Sequence, residues 1–324
     1  MPLFTLDQIK DATQLVYSQM PPTPQYNWPI ISANLGAEVW VKHENHTPTG
    51  AFKLRGSITF IDWVKRTHPK ATGICTATRG NHGQGQSRSA IAAGLTAKIY
   101  VPFGNATEKN TAMRAFGGEV IEFGEDFDVA RMEAIRVAAE QDLIVVPPFH
   151  IEILRGVSTY AYELFTNVPD LDTVYVPIGC GSGICSIISV RDAMGLKTKV
   201  VGVVSEKAQT AKLSVDAGKL VETKTANTFA DGMAVRMPVA DAYDIYAKGA
   251  ERIVTISETE IAAAIRMYYT ATHNLAEGAG AAALAALMQE RDKMQGKRVG
   301  VILTGGNIDA DMFQTVMRGD VPKV

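Results

Sequence analysis

The chain is poor in cysteine: three in 324 residues (Cys75, Cys180 and Cys185), too few for a disulfide framework and without metal-ligand spacing. It has no excess of either charge. The 32 Lys and Arg against 34 Asp and Glu leave a formal net charge of −2, which lacks the basic footprint that nucleic acid or an acidic membrane surface demands. No apolar run approaches the ~18 residues of a membrane span. The opening MPLFTLDQIKDATQL carries acids and lacks the basic start and apolar block of a signal peptide, so a cytoplasmic location is expected. Repeats of solenoid period and low-complexity tracts are also missing. What remains is a soluble globular composition, 46% apolar and 20% charged, with length for about two domains at roughly 150 residues each.

From about residue 72, short apolar or β-branched runs alternate with longer helical patterns. GICTA (73–77), AKIYVPF (97–103), GEVIEFG (118–124) and LIVVPPF (143–149) form one series. TVYVPIG (173–179), KVVGVVSE (199–206) and RVGVILTGG (298–306) form a second. Strands separated by helices of this length predict parallel sheets with right-handed crossovers. The expected fold is therefore α/β, two doubly wound open parallel-sheet domains with ligand sites at strand C-termini.

The clearest local motif is Val176-Pro177-Ile178-Gly179-Cys180-Gly181-Ser182-Gly183, at the end of an apolar run and before a helical pattern. Glycines let backbone N–H groups approach a phosphate, the next helix N-terminus favours its charge, and Ser182 adds a hydroxyl. A tight turn without ligand, or a dinucleotide site using Glu206, fits the same loop. The dinucleotide fingerprint G-x-G-x-x-G fails here, because Ile184 stands at its sixth position. Lys53, in Thr47-Pro48-Thr49-Gly50-Ala51-Phe52-Lys53-Leu54-Arg55-Gly56, reads alone as a surface lysine at a helix start.

Together with Thr78-Arg79-Gly80-Asn81-His82-Gly83-Gln84-Gly85 and Thr304-Gly305-Gly306-Asn307, these segments resemble the fold type II pyridoxal-phosphate (PLP) enzymes. Within these the chain is similar to the serine/threonine dehydratase and serine racemase branch, over nearly its whole length. The resemblance implies a tryptophan synthase β-like fold, with a large PLP-binding domain (1–50 plus 150–324), a small mobile domain (51–149) and the cofactor cleft between them. It implies that Lys53 forms the Schiff base and acts as the base once displaced. Gly179, Cys180, Gly181, Ser182 and Gly183 would hold the phosphate, Thr304 the pyridine nitrogen, and Asn81 the 3-hydroxyl. Gly232, within Phe229-Ala230-Asp231-Gly232-Met233-Ala234-Val235, and Glu277 would lie near the ring. Thr78, Arg79, Gly80, Asn81 and His82 would take the substrate carboxylate, with His82 a structural histidine. A homodimer is the family expectation.

Two departures from the family matter. Racemases of the branch carry a Ser acid where Arg79 stands, and arginine is a poor proton shuttle. Arg79 instead offers a fork for a carboxylate or a flat cation for an aromatic ring. Metal-binding relatives use an acid where this chain has Val204, with Glu206 two residues on, so no divalent metal is expected. The reading is a PLP-dependent dehydratase (ammonia-lyase) that converts a β-hydroxy-α-amino acid to a 2-oxo acid and ammonia. The Cβ group would be of the threonine/serine type, or β-carboxyl or β-aryl as in 3-hydroxyaspartate or phenylserine. A racemase of the same branch and a nucleotide-binding oxidoreductase are the alternatives.

Overall fold

A computed structural model describes residues 3–323. Its strands are β1 (Gln25–Asn27), β2 (Glu38–His43), β3 (Gly73–Ala77), β4 (Thr96–Val101), β5 (Glu119–Glu122), β6 (Ile144–Val145), β7 (Thr173–Pro177), β8 (Lys199–Ser205), β9 (Arg252–Ile256) and β10 (Arg298–Leu303). They form two sheets, ordered β1-β2-β10-β7-β8-β9 and β5-β4-β3-β6. The smaller sheet is wholly parallel. The larger is parallel from β2 to β9 and mixed at its edge, where β1 runs antiparallel to β2.

Strands buried on both faces, such as GICTA and TVYVP, carry continuous apolar runs, as parallel strands covered by helices must. The expected strand LIVVPPF shrinks to Ile144–Val145. Pro147 and Pro148 have no N–H to give a ladder. Strands β1, β2 and β9 extend the larger sheet outside the series read from the sequence.

The helix that begins at Lys53 (Lys53–Thr67) packs on the helix Ile151–Asn167 at a glycine contact. A Cβ at Gly156 would stand 2.2 Å from the Arg55 carbonyl oxygen. Beside this contact lies a buried charge cluster. Arg55 donates to Glu44 (2.7 Å) and, through both terminal nitrogens, to Glu163 (2.7 and 2.9 Å). Lys42 reaches Glu163 at 2.5 Å, and none of these four side chains is more than 2% exposed. Two cations against two carboxylates balance the site, so deleting one member strands a charge away from water. On the other side of Lys53, Phe52 N–H donates to the Thr304 carbonyl (3.0 Å) and Gly306 N–H to the Gly50 carbonyl (2.9 Å). Arg55→Ala should cost about 3–5 kcal/mol of stability in urea unfolding. A loss below about 1 kcal/mol, typical of an exposed pair, would contradict this account of the cluster.

Candidate active site

The C-terminal ends of β3, β7 and β10 open onto one cleft, and every site residue singled out in the sequence lines it. Lys53 enters from the start of its helix. Its Nζ donates to Ser182 Oγ at 3.3 Å and stands 4.9 Å from the Phe52 ring centroid. Burial pushes the Lys53 ammonium below its ordinary pKa, and charge on Cys180 and Glu277 opposes that shift. A lysine so placed surrenders its proton more readily than a solvated one.

Two helix N-termini face the same space. The helix Ser182–Ala193 follows Gly181, which sits at φ +96°, and no side chain caps it. The helix Asn81–Ala92 follows Gly80, and the first-turn N–H groups of Asn81 and His82 have no side-chain acceptor. Uncapped first-turn amides favour an anion. In the second loop the Thr78 hydroxyl accepts from the N–H groups of Gly80 (2.9 Å) and Gly83 (3.3 Å), so Thr78 shapes the loop with its own side chain.

His82 is half-buried in the cleft wall, with its Nε2 shielded from solvent and unpartnered. Burial lowers its pKa to about 3, with Lys53 adding to the shift, so it is neutral. Glu277 precedes the helix Gly278–Gln289 and accepts from Asn81 Nδ2 at 2.6 Å. Gly232 lies in the turn Asp231–Met233, where a Cβ would touch only Ala279 within 4 Å. Thr304 closes the floor at the end of β10. Arg79 is exposed at the mouth and also lines an adjoining outer chamber with Arg131, Lys224, Arg236, Asp126 and Asp128.

Sequence reasoning missed Lys109 and Asp231. Both line the cleft, and they pair at 2.5 Å. The Asp231 signal was its place beside Gly232. Lys109, in the polar helix Thr107–Ala115, carries no signal of its own.

A family model described as pyridoxal-phosphate dependent enzyme matches residues 16–305. The chain belongs to that family. It is similar to an L-threonine ammonia-lyase of Thermotoga maritima, 32% identical over 99% of this chain and 80% of the relative. A serine racemase of Schizosaccharomyces pombe is 28% identical over 95% of this chain and 96% of its own length. Among solved structures, threonine deaminase isoform 2 of Solanum lycopersicum superposes with a TM-score of 0.89 at 27% identity, over 98% of this chain and 95% of that one. Maize serine racemase, at 24% identity and a TM-score of 0.90, shares the fold over 97% of both chains. The nucleotide alternative has no support beside this assignment.

The residues of this PLP-dependent enzyme fit the cofactor. There is a lysine amine for its aldehyde at the cleft wall, an uncapped helix N-terminus with a left-handed glycine for its phosphate, and a glycine at 232 that lines the cleft, where an added Cβ would crowd Ala279 at 2.9 Å. Ser182→Ala should weaken PLP binding about tenfold, the worth of one charge-assisted hydrogen bond, in a titration of the cofactor-free protein. Unchanged affinity would remove Ser182 from the phosphate site.

Proposed function

We propose that this enzyme is a PLP-dependent dehydratase (ammonia-lyase) of β-hydroxy-α-amino acids. The observation that carries the reading is the Lys53 amine, lowered by burial and 3.3 Å from Ser182 at an uncapped helix N-terminus. The similarity to an L-threonine ammonia-lyase supports the same reaction class. When bound, PLP supplies the electron sink for charge at the substrate Cα.

The chain's own residues do the rest. The substrate carboxylate sits on the first-turn amides of Asn81 and His82, which no side chain caps. Lys53 Nζ removes the Cα proton, the electron pair expels the β-hydroxyl, and the Lys53 ammonium gives the same proton to the departing oxygen, so that water leaves and the lysine amine is regenerated. The released enamine then hydrolyses to a 2-oxo acid and ammonia. Holding the amine and the Cα–H bond in one fixed geometry provides the larger part of the acceleration. His82, neutral and half-buried beside Lys53, adds no charge that competes for the substrate carboxylate. Segment 51–149 serves as the small mobile domain, a reading supported by a smaller sheet whose strands all lie between Gly73 and Val145. Family resemblance supports a cytoplasmic homodimer.

Arg79 selects the group on Cβ. Arg236 is held by Asp126 (3.5 Å) and Asp128, and Asp128 also faces Arg131 at 3.8 Å. No ion pair holds Arg79 or Lys224 among the described residues, so the outer chamber keeps free positive charge. That favours a second carboxylate on Cβ, as in 3-hydroxyaspartate, over an aryl ring. Arginine is also a poor proton shuttle at the position where racemases of the branch carry a Ser acid, which favours elimination over racemisation.

Release of 2-oxo acid should be followed from serine, threonine, phenylserine and 3-hydroxyaspartate with the wild type and Arg79→Ala. The variant should lose about 10–100-fold in kcat/KM for 3-hydroxyaspartate and little for serine. Equal losses across the panel would assign Arg79 to the cofactor or the scaffold.

A further inference from the structure

Five polar side chains form one continuous chain across the cleft, and every link joins segment 51–149 to the rest of the protein. Asn307 Nδ2 donates to Asn81 Oδ1 at 2.8 Å, and Asn81 Nδ2 donates to Glu277 Oε1 at 2.6 Å. Lys109 Nζ then donates to Glu277 Oε2 at 3.4 Å and to Asp231 Oδ2 at 2.5 Å. The Lys109 side chain is 7% exposed and that of Glu277 4%. Its stem also runs under the carboxylate loop: a Cβ at Gly80 would stand 2.5 Å from Lys109 Cδ. One side chain thus supports the backbone of Thr78–His82 and holds two acids from the opposite half.

We propose that Lys109 is a positioning residue, coupling the seating of the substrate carboxylate on Thr78–His82 to the charge on Glu277. The inference rests on the reading that this cleft holds the amino-acid substrate.

The charges around Glu277 explain the coupling. Lys109 and Asp231 face it from the helix Thr107–Ala115 and the turn Asp231–Met233. The Lys53 amine faces it from its helix start, and Asn81 supplies a neutral donor. One lysine between two carboxylates leaves excess negative charge in a buried place. Burial raises the Glu277 carboxyl to about 7, Lys109 opposes the shift, Asp231 adds to it, and the Asn81 hydrogen bond opposes it. Above that pH Glu277 is ionised and the chain is complete. Below it the carboxyl takes a proton, loses its attraction for Lys109 and loosens the loop. Deleting the Lys109 charge must therefore move the midpoint upward, and deleting the Asp231 charge must move it downward.

The test compares wild type, Lys109→Met, Lys109→Arg and Asp231→Asn as holoenzymes, with kcat and KM followed across about pH 6–9. Lys109→Met should shift the acid limb of kcat/KM alkaline by about one unit or more, and Asp231→Asn should shift it acid by a similar amount. Lys109→Arg should restore the wild-type midpoint, and the Lys109→Met defect should fall more on KM than on kcat. In the cofactor-free proteins, backbone hydrogen exchange at 80–83 should be faster in Lys109→Met. A midpoint that stays in place in Lys109→Met overturns the proposal, whatever happens to KM. If that variant does not fold, Asp231→Asn decides: an acid shift supports the proposal and an unmoved midpoint overturns it. If no protein turns over any β-hydroxy amino acid, the dehydratase reading falls. Hydrogen exchange then decides this inference: wild-type rates at 80–83 in Lys109→Met overturn it, and where that variant does not fold, exchange at 80–83 near pH 7 that is no slower in Asp231→Asn than in wild type overturns it.

Discussion

The bidentate grip of Arg55 on Glu163, with Glu44 and Lys42 completing the charge balance, sets the position of everything else in the cleft. Arg55 lies one residue beyond Leu54 and two beyond Lys53, in the first turn of the same helix. Glu44 and Glu163 belong to the larger body of the chain, so this buried cluster ties the start of that helix to it. The segment just before Lys53 is fastened independently by the backbone bonds of Phe52 and Gly306 to Thr304 and Gly50. A lysine held from both sides presents its amine at one place, which is what a base must do to meet a single Cα–H bond.

Around that amine the cleft combines buried ionisable groups with oriented backbone. Burial lowers Lys53, keeps His82 neutral and raises Glu277 toward neutrality. In the proposed reading the phosphate and the substrate carboxylate would each meet a helix N-terminus rather than a buried cation. Amides at a helix end bind an anion without adding a charge that would have to be desolvated when the cleft is empty. Arg79, the one arginine lining this cleft among the described residues, stands at the exposed mouth, where solvation costs it little.

Much of the fold was legible because buried parallel strands must be apolar throughout, and GICTA, TVYVP and RVGVIL read plainly. β1 was hidden by its polar sequence, QYN, at a sheet edge. LIVVPPF promised a longer strand than its prolines allow. The glycine loops were legible because glycine at a strand end has a local cause. Lys109 was not, because a lysine in TEKNTAMRA looks solvated in any window of sequence. Its burial comes from Asp231 and Glu277, which lie 122 and 168 residues away. Arg55 was quoted within a motif, yet its partnership with Glu163 spans 108 residues and leaves no local trace.

The most direct test of the account is the visible absorption of the purified protein supplied with PLP, wild type against Lys53→Ala, with 2-oxo acid release measured on the same samples. The account predicts a visible band and oxo-acid formation from a β-hydroxy amino acid in the wild type, and loss of both in Lys53→Ala. A wild-type protein that stays colourless with PLP, or a Lys53→Ala protein that keeps both signals, would contradict it.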